Sequence, residues 1–193
     1  VYMDLKVVDQ ELNIVHESMI RTQSDHANTE LIQELTENTV TGGVSMINRA
    51  LADLWTGQEE HELLMHDWYL GLLASAFGQL VYLDQPGELY RQHSNNVLGA
   101  RTLRKRMKNW IHPSRLFVKY WKLIKDSQTQ ARNLLSQPLT TENREIIENF
   151  VTIMEVPFAE RLRRIRKYGY RKNRAFHTLV FTTLILTKFA YKE

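Results

Sequence analysis

The sequence predicts a mixed α/β chain that is predominantly helical. Two observations carry this. The first hundred residues interleave strand-like runs with helical ones, whereas from Ala100 onward only helical periodicity is present. Charge divides at the same place. Residues 1–100 hold four basic and fifteen acidic residues, and residues 101–193 hold twenty-one basic and seven acidic. Such asymmetry predicts two regions, 1–100 and 101–193, with different partners. The basic one suits a polyanion, either nucleic acid or an anionic membrane face.

Each element has a local reason. Val1–Val8 (VYMDLKVV) is β-branched and aromatic enough for a strand, with Leu12–Val15 as its hairpin partner across Asp9 and Asn13. Arg21–Thr29 is polar and reads as a loop. Thr29 is placed to cap a short helix bearing Leu31, Ile32 and Leu35. Gly42-Gly43 then interrupts a β-branched run. Paired glycines there mark either a plain turn or a place where another group approaches the backbone closely. Asn48 caps a helix from Arg49 to Trp55, closed by Gly57. The acidic run Glu59, Glu60, Glu62 reads as a solvated loop.

The central helix begins at His66-Asp67 and carries Trp68, Leu70, Leu72, Leu73, Ala76 and Phe77, so it is expected to be buried, ending at Gly78. Asp67 in its first turn is favoured by the helix dipole whatever else it does. Leu80–Leu83 and Glu88–Arg91 are strand-like, separated by Pro86-Gly87. Helices follow: Arg101–Ile111, a second one after Pro113 lined by Phe117, Tyr120, Trp121 and Ile124, and a third capped by Thr141. A fourth runs from Pro157 to Gly169, and the last is the apolar run Thr178–Tyr191. That last run, at about fourteen residues, is short of the roughly 20 that span a bilayer. It is expected to pack on the domain or lie at a membrane surface.

With 43% hydrophobic and 24% charged residues, wholesale disorder is excluded. The absence of cysteine excludes a disulfide scaffold, a cysteine zinc site and a cysteine nucleophile, and fits an intracellular protein. No Walker loop, G-x-G-x-x-G, H-E-x-x-H or G-x-S-x-G occurs. His61 and His66 are five residues apart, a poor spacing for sharing one helix face. The strand-like run already begun at Val1 reads as part of something longer.

Three segments occur in order: TGGVSMINRAL (Thr41–Leu51), HDWYLGLLASAFG (His66–Gly78) and LVYLDQPGELYRQHSNNVLGA (Leu80–Ala100). Together they resemble the second half of family 2 glycosyltransferases, in particular the rhamnosyltransferase-like branch that builds bacterial cell-surface polysaccharides. VYMDLKVVD (Val1–Asp9) is similar to the strand that follows the nucleotide-binding half in that branch. The resemblance covers about the first hundred residues. It implies the acceptor-side half of a GT-A, Rossmann-like fold, followed here by a basic helical extension. It also implies that Asp67 is the catalytic base, that Gly42 and Gly43 run close to the sugars, and that Tyr90, Arg91 and His93 lie near the donor diphosphate, with His93 able to ligate a metal. His66, Trp68 and Asn96 join Gly42, Gly43, Tyr90 and Arg91 as expected substrate-binding residues.

The implied cofactor is a divalent cation, Mg or Mn. The implied partners are a nucleotide-sugar, dTDP-rhamnose being one candidate, and a glycan or lipid-linked acceptor. The expected place is the cytoplasmic side, peripheral to the inner face of the plasma membrane, with a homo-oligomer also open. The family's Asp-x-Asp motif is absent from the sequence. The chain is therefore expected to be a C-terminal part that neither holds the cation nor turns over by itself. A second reading makes it a non-enzymatic helical module that contacts nucleic acid or anionic membrane through its basic half. That reading leaves the ordered motifs of the acidic half unexplained, so nucleic acid is not the expected partner.

Overall fold

β1 (Tyr2–Val8) is the middle strand of a three-stranded mixed sheet, flanked by β2 (Ile14–His16) and β3 (Tyr82–Arg91). This computed structural model describes residues 1–56, 63–92 and 113–191, the side chains of 113–116 excepted. β1 is antiparallel to β2 and parallel to β3. The hairpin between β1 and β2 is fixed by the Asp9 carboxylate, which accepts hydrogen bonds from the backbone N–H groups of Glu11 and Asn13. The two runs expected on either side of Pro86-Gly87 are one strand. Its pairing with β1 slips at Met3–Leu5, opposite Leu83 to Glu88, so the proline and glycine sit in a bulge rather than a turn.

Eight α-helices lie among the described residues. α1 (Met19–Gln23) occupies part of the stretch expected to be loop. Its cause is distant in sequence. The buried Asp4 carboxylate on β1 accepts from the N–H groups of Met19 and Ile20 and from the Ser18 hydroxyl, while Ser18 itself caps Arg21. α2 (Leu31–Thr36) starts one residue later than expected, with Glu30 and Gln33 forming a capping box. α3 (Arg49–Thr56) is capped by Asn48, whose side chain accepts from Leu51 N–H at 2.9 Å. α4 (His66–Phe77) ends at Gly78. α5 (Pro113–Arg132), α6 (Thr141–Val151), α7 (Phe158–Tyr168) and α8 (Ala175–Thr187) follow. Gly169 closes α7 at φ 73°, in the left-handed region that favours glycine. The expected helix Arg101–Ile111, Gly57 and the acidic run from Glu59 lie outside the described residues.

The regions 1–100 and 101–193 share one hydrophobic core. Leu31, Leu35, Trp68, Tyr69, Leu72 and Leu73 pack in the same cluster as Ile124, Ile147, Phe150, Phe181 and Ile185. Two smaller clusters sit on the sheet, around Tyr2, Ile20, Val40 and Leu80, and around Leu5, Val7 and Met19. α4 is tied to the helical region at both ends. At its start, the buried Gln130 of α5 donates to the carbonyl of Met65 at 2.6 Å and accepts from Leu64 N–H at 3.1 Å. At its finish, Asn143 of α6 donates to the carbonyl of Ala76 at 2.8 Å. The bond to Ala76 satisfies one of the carbonyls that a helix leaves open at its C-terminal end.

A second tie joins the segment before α8 to the loop around α2. Asn173 donates from its side chain to Asn28 Oδ1 and Ser24 Oγ, and its backbone N–H reaches Glu37. Arg174 donates to the carbonyls of Arg21 and Thr22, and Lys172 to that of Thr36. Burial of Lys172 pushes its ammonium pKa down, opposed by the charge of Glu37.

Candidate functional site

Asp67 sits in the first turn of α4, half-buried, with its Oδ1 accepting from the N–H of Trp68 at 2.7 Å. His66, one residue earlier, is exposed. The helix dipole places partial positive charge at this end, which favours a carboxylate there. Gln130 holds the chain that enters the helix. The direction of Asp67 is therefore set by a rigid element rather than a loop.

Gly42-Gly43 lies against this helix start. The pair forms a 3₁₀ turn, Gly42–Val44, not a strand. The Ser45 hydroxyl closes it by donating to the Gly42 carbonyl at 3.0 Å, and Met46 N–H donates to the Val1 carbonyl at 2.8 Å, anchoring the turn to the sheet. A Cβ at Gly42 would stand 2.9 Å from His66 Nε2 and 3.6 Å from Asp67 Cβ. One at Gly43 would stand 3.0 Å from Glu88 Oε2. A side chain at either glycine would have to displace the end of His66 or of Glu88, and the pair lies between an imidazole with its adjoining carboxylate on one side and a second carboxylate on the other. Gly87, in the β3 bulge, packs on Met3 and Val44, where a Cβ would meet side chains at 3.1 to 3.4 Å.

The expected site residues separate. Gly42, Gly43, His66 and Asp67 are brought together. Tyr90 lies on the same face of β3 as Glu88, by strand alternation, and packs half-buried on the Leu5–Val7–Met19 cluster. Arg91 alternates to the opposite face, paired in register with Val8. Trp68, expected to bind substrate, points into the core instead of the glycine turn. It is 6% exposed, belongs to the main core, and donates its indole N–H to the Glu34 carbonyl at 2.7 Å. A step of one residue along the helix rotates it about 100° from Asp67. His93 and Asn96 lie outside the described residues.

Two acids enter that the sequence reading did not single out. Glu88 is one; its signal was its place two residues before Tyr90 in an alternating strand. Glu34 is the other. It is fully buried behind α4. Its Oε1 accepts from Asn28 Nδ2 at 2.9 Å, with Thr39 N and Oγ1 each at 3.4 Å. Its Oε2 has no hydrogen-bond partner and fills the space over Gly71, where a Cβ would lie 2.8 Å away. Burial pushes this carboxyl up to about 8, against its hydrogen bonds to Asn28 and Thr39, and the charge of Asp67 raises it further. At neutral pH Glu34 is therefore largely the neutral acid, as an uncompensated buried charge would be costly. Its signal was an acid on the apolar face of a helix, spaced three from Leu31.

Among the described residues no group of three or more His, Asp or Glu side chains is placed to hold a metal ion. The arrangement can accept a proton at Asp67 and exchange hydrogen bonds with hydroxyls at His66 and Glu88, whose side chains lie over Gly42 and Gly43. Among the described residues no helix is long and apolar enough to cross a membrane. No protein-family model, curated protein or solved structure matches the chain.

Proposed function

We propose that this chain is the acceptor-side part of an inverting glycosyltransferase that moves a sugar, rhamnose being the favoured one, from a nucleotide-sugar to a cell-surface polysaccharide acceptor. The observation that carries the reading is the carboxylate of Asp67 at a braced helix start, directly beside a turn that has no side chains at Gly42 and Gly43. Inverting transfer needs a base to take the proton of an acceptor hydroxyl as its oxygen attacks the anomeric carbon. Asp67 fills that role. His66 and Glu88, which lie over the glycine turn, orient neighbouring sugar hydroxyls. The bond from the anomeric carbon to the diphosphate breaks as the new glycosidic bond forms.

A divalent cation, when bound, would neutralise that diphosphate. The described side chains do not form a ligand set for one, so no step here runs through it. Peripheral placement on the inner membrane face belongs to the same reading, because a lipid-linked acceptor is met there. The test is product stereochemistry. The full-length protein is incubated with a panel of nucleotide-sugars and lipid-linked acceptors, and the anomeric coupling of the product is read by NMR. Transfer with inversion is expected. Transfer with retention, or none with any pair, would overturn the proposal.

A further inference from the structure

We infer that the outer face of α8 is a docking surface for an anionic lipid bilayer. The inference deepens the transferase reading, and rests on it only for the purpose of the docking. α8 (AFHTLVFTTLILT) is mostly apolar, its polar residues being His177 and four threonines, of which Thr183 and Thr187 are exposed. Its inner side is covered: Phe181, Leu184 and Ile185 are in the main core. Its outer side is not. Phe176 is 62% exposed and Leu179 is 65% exposed, and Phe189 just beyond the helix is 57% exposed. At thirteen residues the helix is too short to span a bilayer of ordinary thickness, so lying in the interface is the arrangement open to it.

Charge identifies the occupant. No acidic residue occurs between Arg161 and Lys192. Arg171 and Arg174 precede the helix, and Lys188 follows it, so cations stand at both ends of the apolar strip. The helix ends are also held in place. Arg174 donates to the carbonyls of Arg21 and Thr22, and Trp121 of α5 donates its indole N–H to the Phe189 carbonyl at 2.8 Å. A preformed apolar strip with cationic ends matches an acyl boundary bordered by anionic headgroups. A second copy of the strip fits poorly: antiparallel pairing would set Arg171 and Arg174 against Lys188. A nucleic acid would meet cations only at the ends and find an apolar centre that offers nothing to phosphate.

The experiment is vesicle co-sedimentation of the whole chain. Vesicles of phosphatidylcholine with about one-third phosphatidylglycerol are compared with phosphatidylcholine alone, at low and high salt. The double variant Phe176→Ser/Leu179→Ser is run beside the parent, with melting and sedimentation velocity recorded for both. Expected are binding to the anionic vesicles that weakens with salt, a drop of about tenfold or more in the double variant, and unchanged melting, since both side chains are exposed. Absence of binding to anionic vesicles at low salt, or equal binding by the variant, would overturn the inference. So would a dimer of the parent that the variant loses, which assigns the face to a second copy. A lowered melting temperature with unchanged vesicle binding would also overturn it, by assigning the face to the chain's own packing. Asp67→Asn serves as the separating control. Vesicle binding is expected to be unchanged in it, so loss of the transferase reading would leave a positive vesicle result standing, and the reverse.

Discussion

The body and the start of α4 lie in different surroundings. Its body is sealed in the large core with the C-terminal helices, with Tyr69, Leu72 and Leu73 wholly buried. Its start opens onto the glycine turn, where His66 is exposed and Asp67 half-buried. The sheet beside that turn has only two small clusters beneath it, and β3 is exposed along most of its length. The large core thus lies in the helical region and the candidate site at the thin edge. Gln130 and Asn143, both from the helical region, hold α4 across the divide. The lesson is that the basic helices serve the candidate site as its frame.

That contrast makes graded predictions. Leu72→Ala, which empties a fully buried position on α4, is expected to destabilise the fold by about 2–5 kcal/mol in denaturant unfolding. A loss under about 1 kcal/mol would mean the helix body is not core. Gln130→Ala removes two buried hydrogen bonds at the entry to α4. It is expected to cost about 1–3 kcal/mol and to lower kcat more than it raises KM, because Asp67 loses its brace. Unchanged kcat in a folded variant would separate the frame from the site.

Glu34 gives a pH signature. Its folded carboxyl titrates near 8 and its unfolded one near 4.5, so between those values the folded state holds a proton that the unfolded state lacks. Stability therefore falls as pH rises through that window, by up to about 1.4 kcal/mol per pH unit from this group. Glu34→Gln keeps the shape and removes the titration. The variant's stability between pH 5 and 8 is expected to be flatter than the parent's by that slope, and parallel curves would contradict the burial of an acid there. The smallest stability effect belongs to Glu88→Gln, under about 0.5 kcal/mol by thermal unfolding, since the side chain is exposed. Its acceptor KM in the transfer assay is expected to rise several-fold. An unchanged KM would remove Glu88 from the site.

Much of the frame was legible locally. The strand at Val1–Val8, the Asn48 cap, the helix from His66 to Gly78 and the Gly169 stop each follow from signals within a few residues, and each is present. What escaped was long-range. α1 exists because Asp4 reaches it across fourteen residues, and no local pattern in Arg21–Thr29 announces that. β3 absorbs Pro86-Gly87 as a bulge because β1 templates it through both halves. Of the site, the meeting of Gly42, His66 and Asp67 was legible through the ordered segments. The burial of Trp68 was not legible, because adjacent residues on a helix diverge by about 100° and its neighbours in the core are distant in sequence. Glu34 was passed over because an acid in a short amphipathic helix is ordinarily solvated, and only the packing of Gly71 against it reveals its burial.

The most direct measurement compares Asp67→Asn with the parent for both transfer and melting in the full-length protein. Asparagine keeps the size and the favourable helix-start chemistry but cannot take a proton. The expected result is a fall in kcat of about 10²–10⁴-fold with melting within the range of a surface substitution. Parental kcat in a folded Asp67→Asn variant would contradict the assignment of Asp67 as the base.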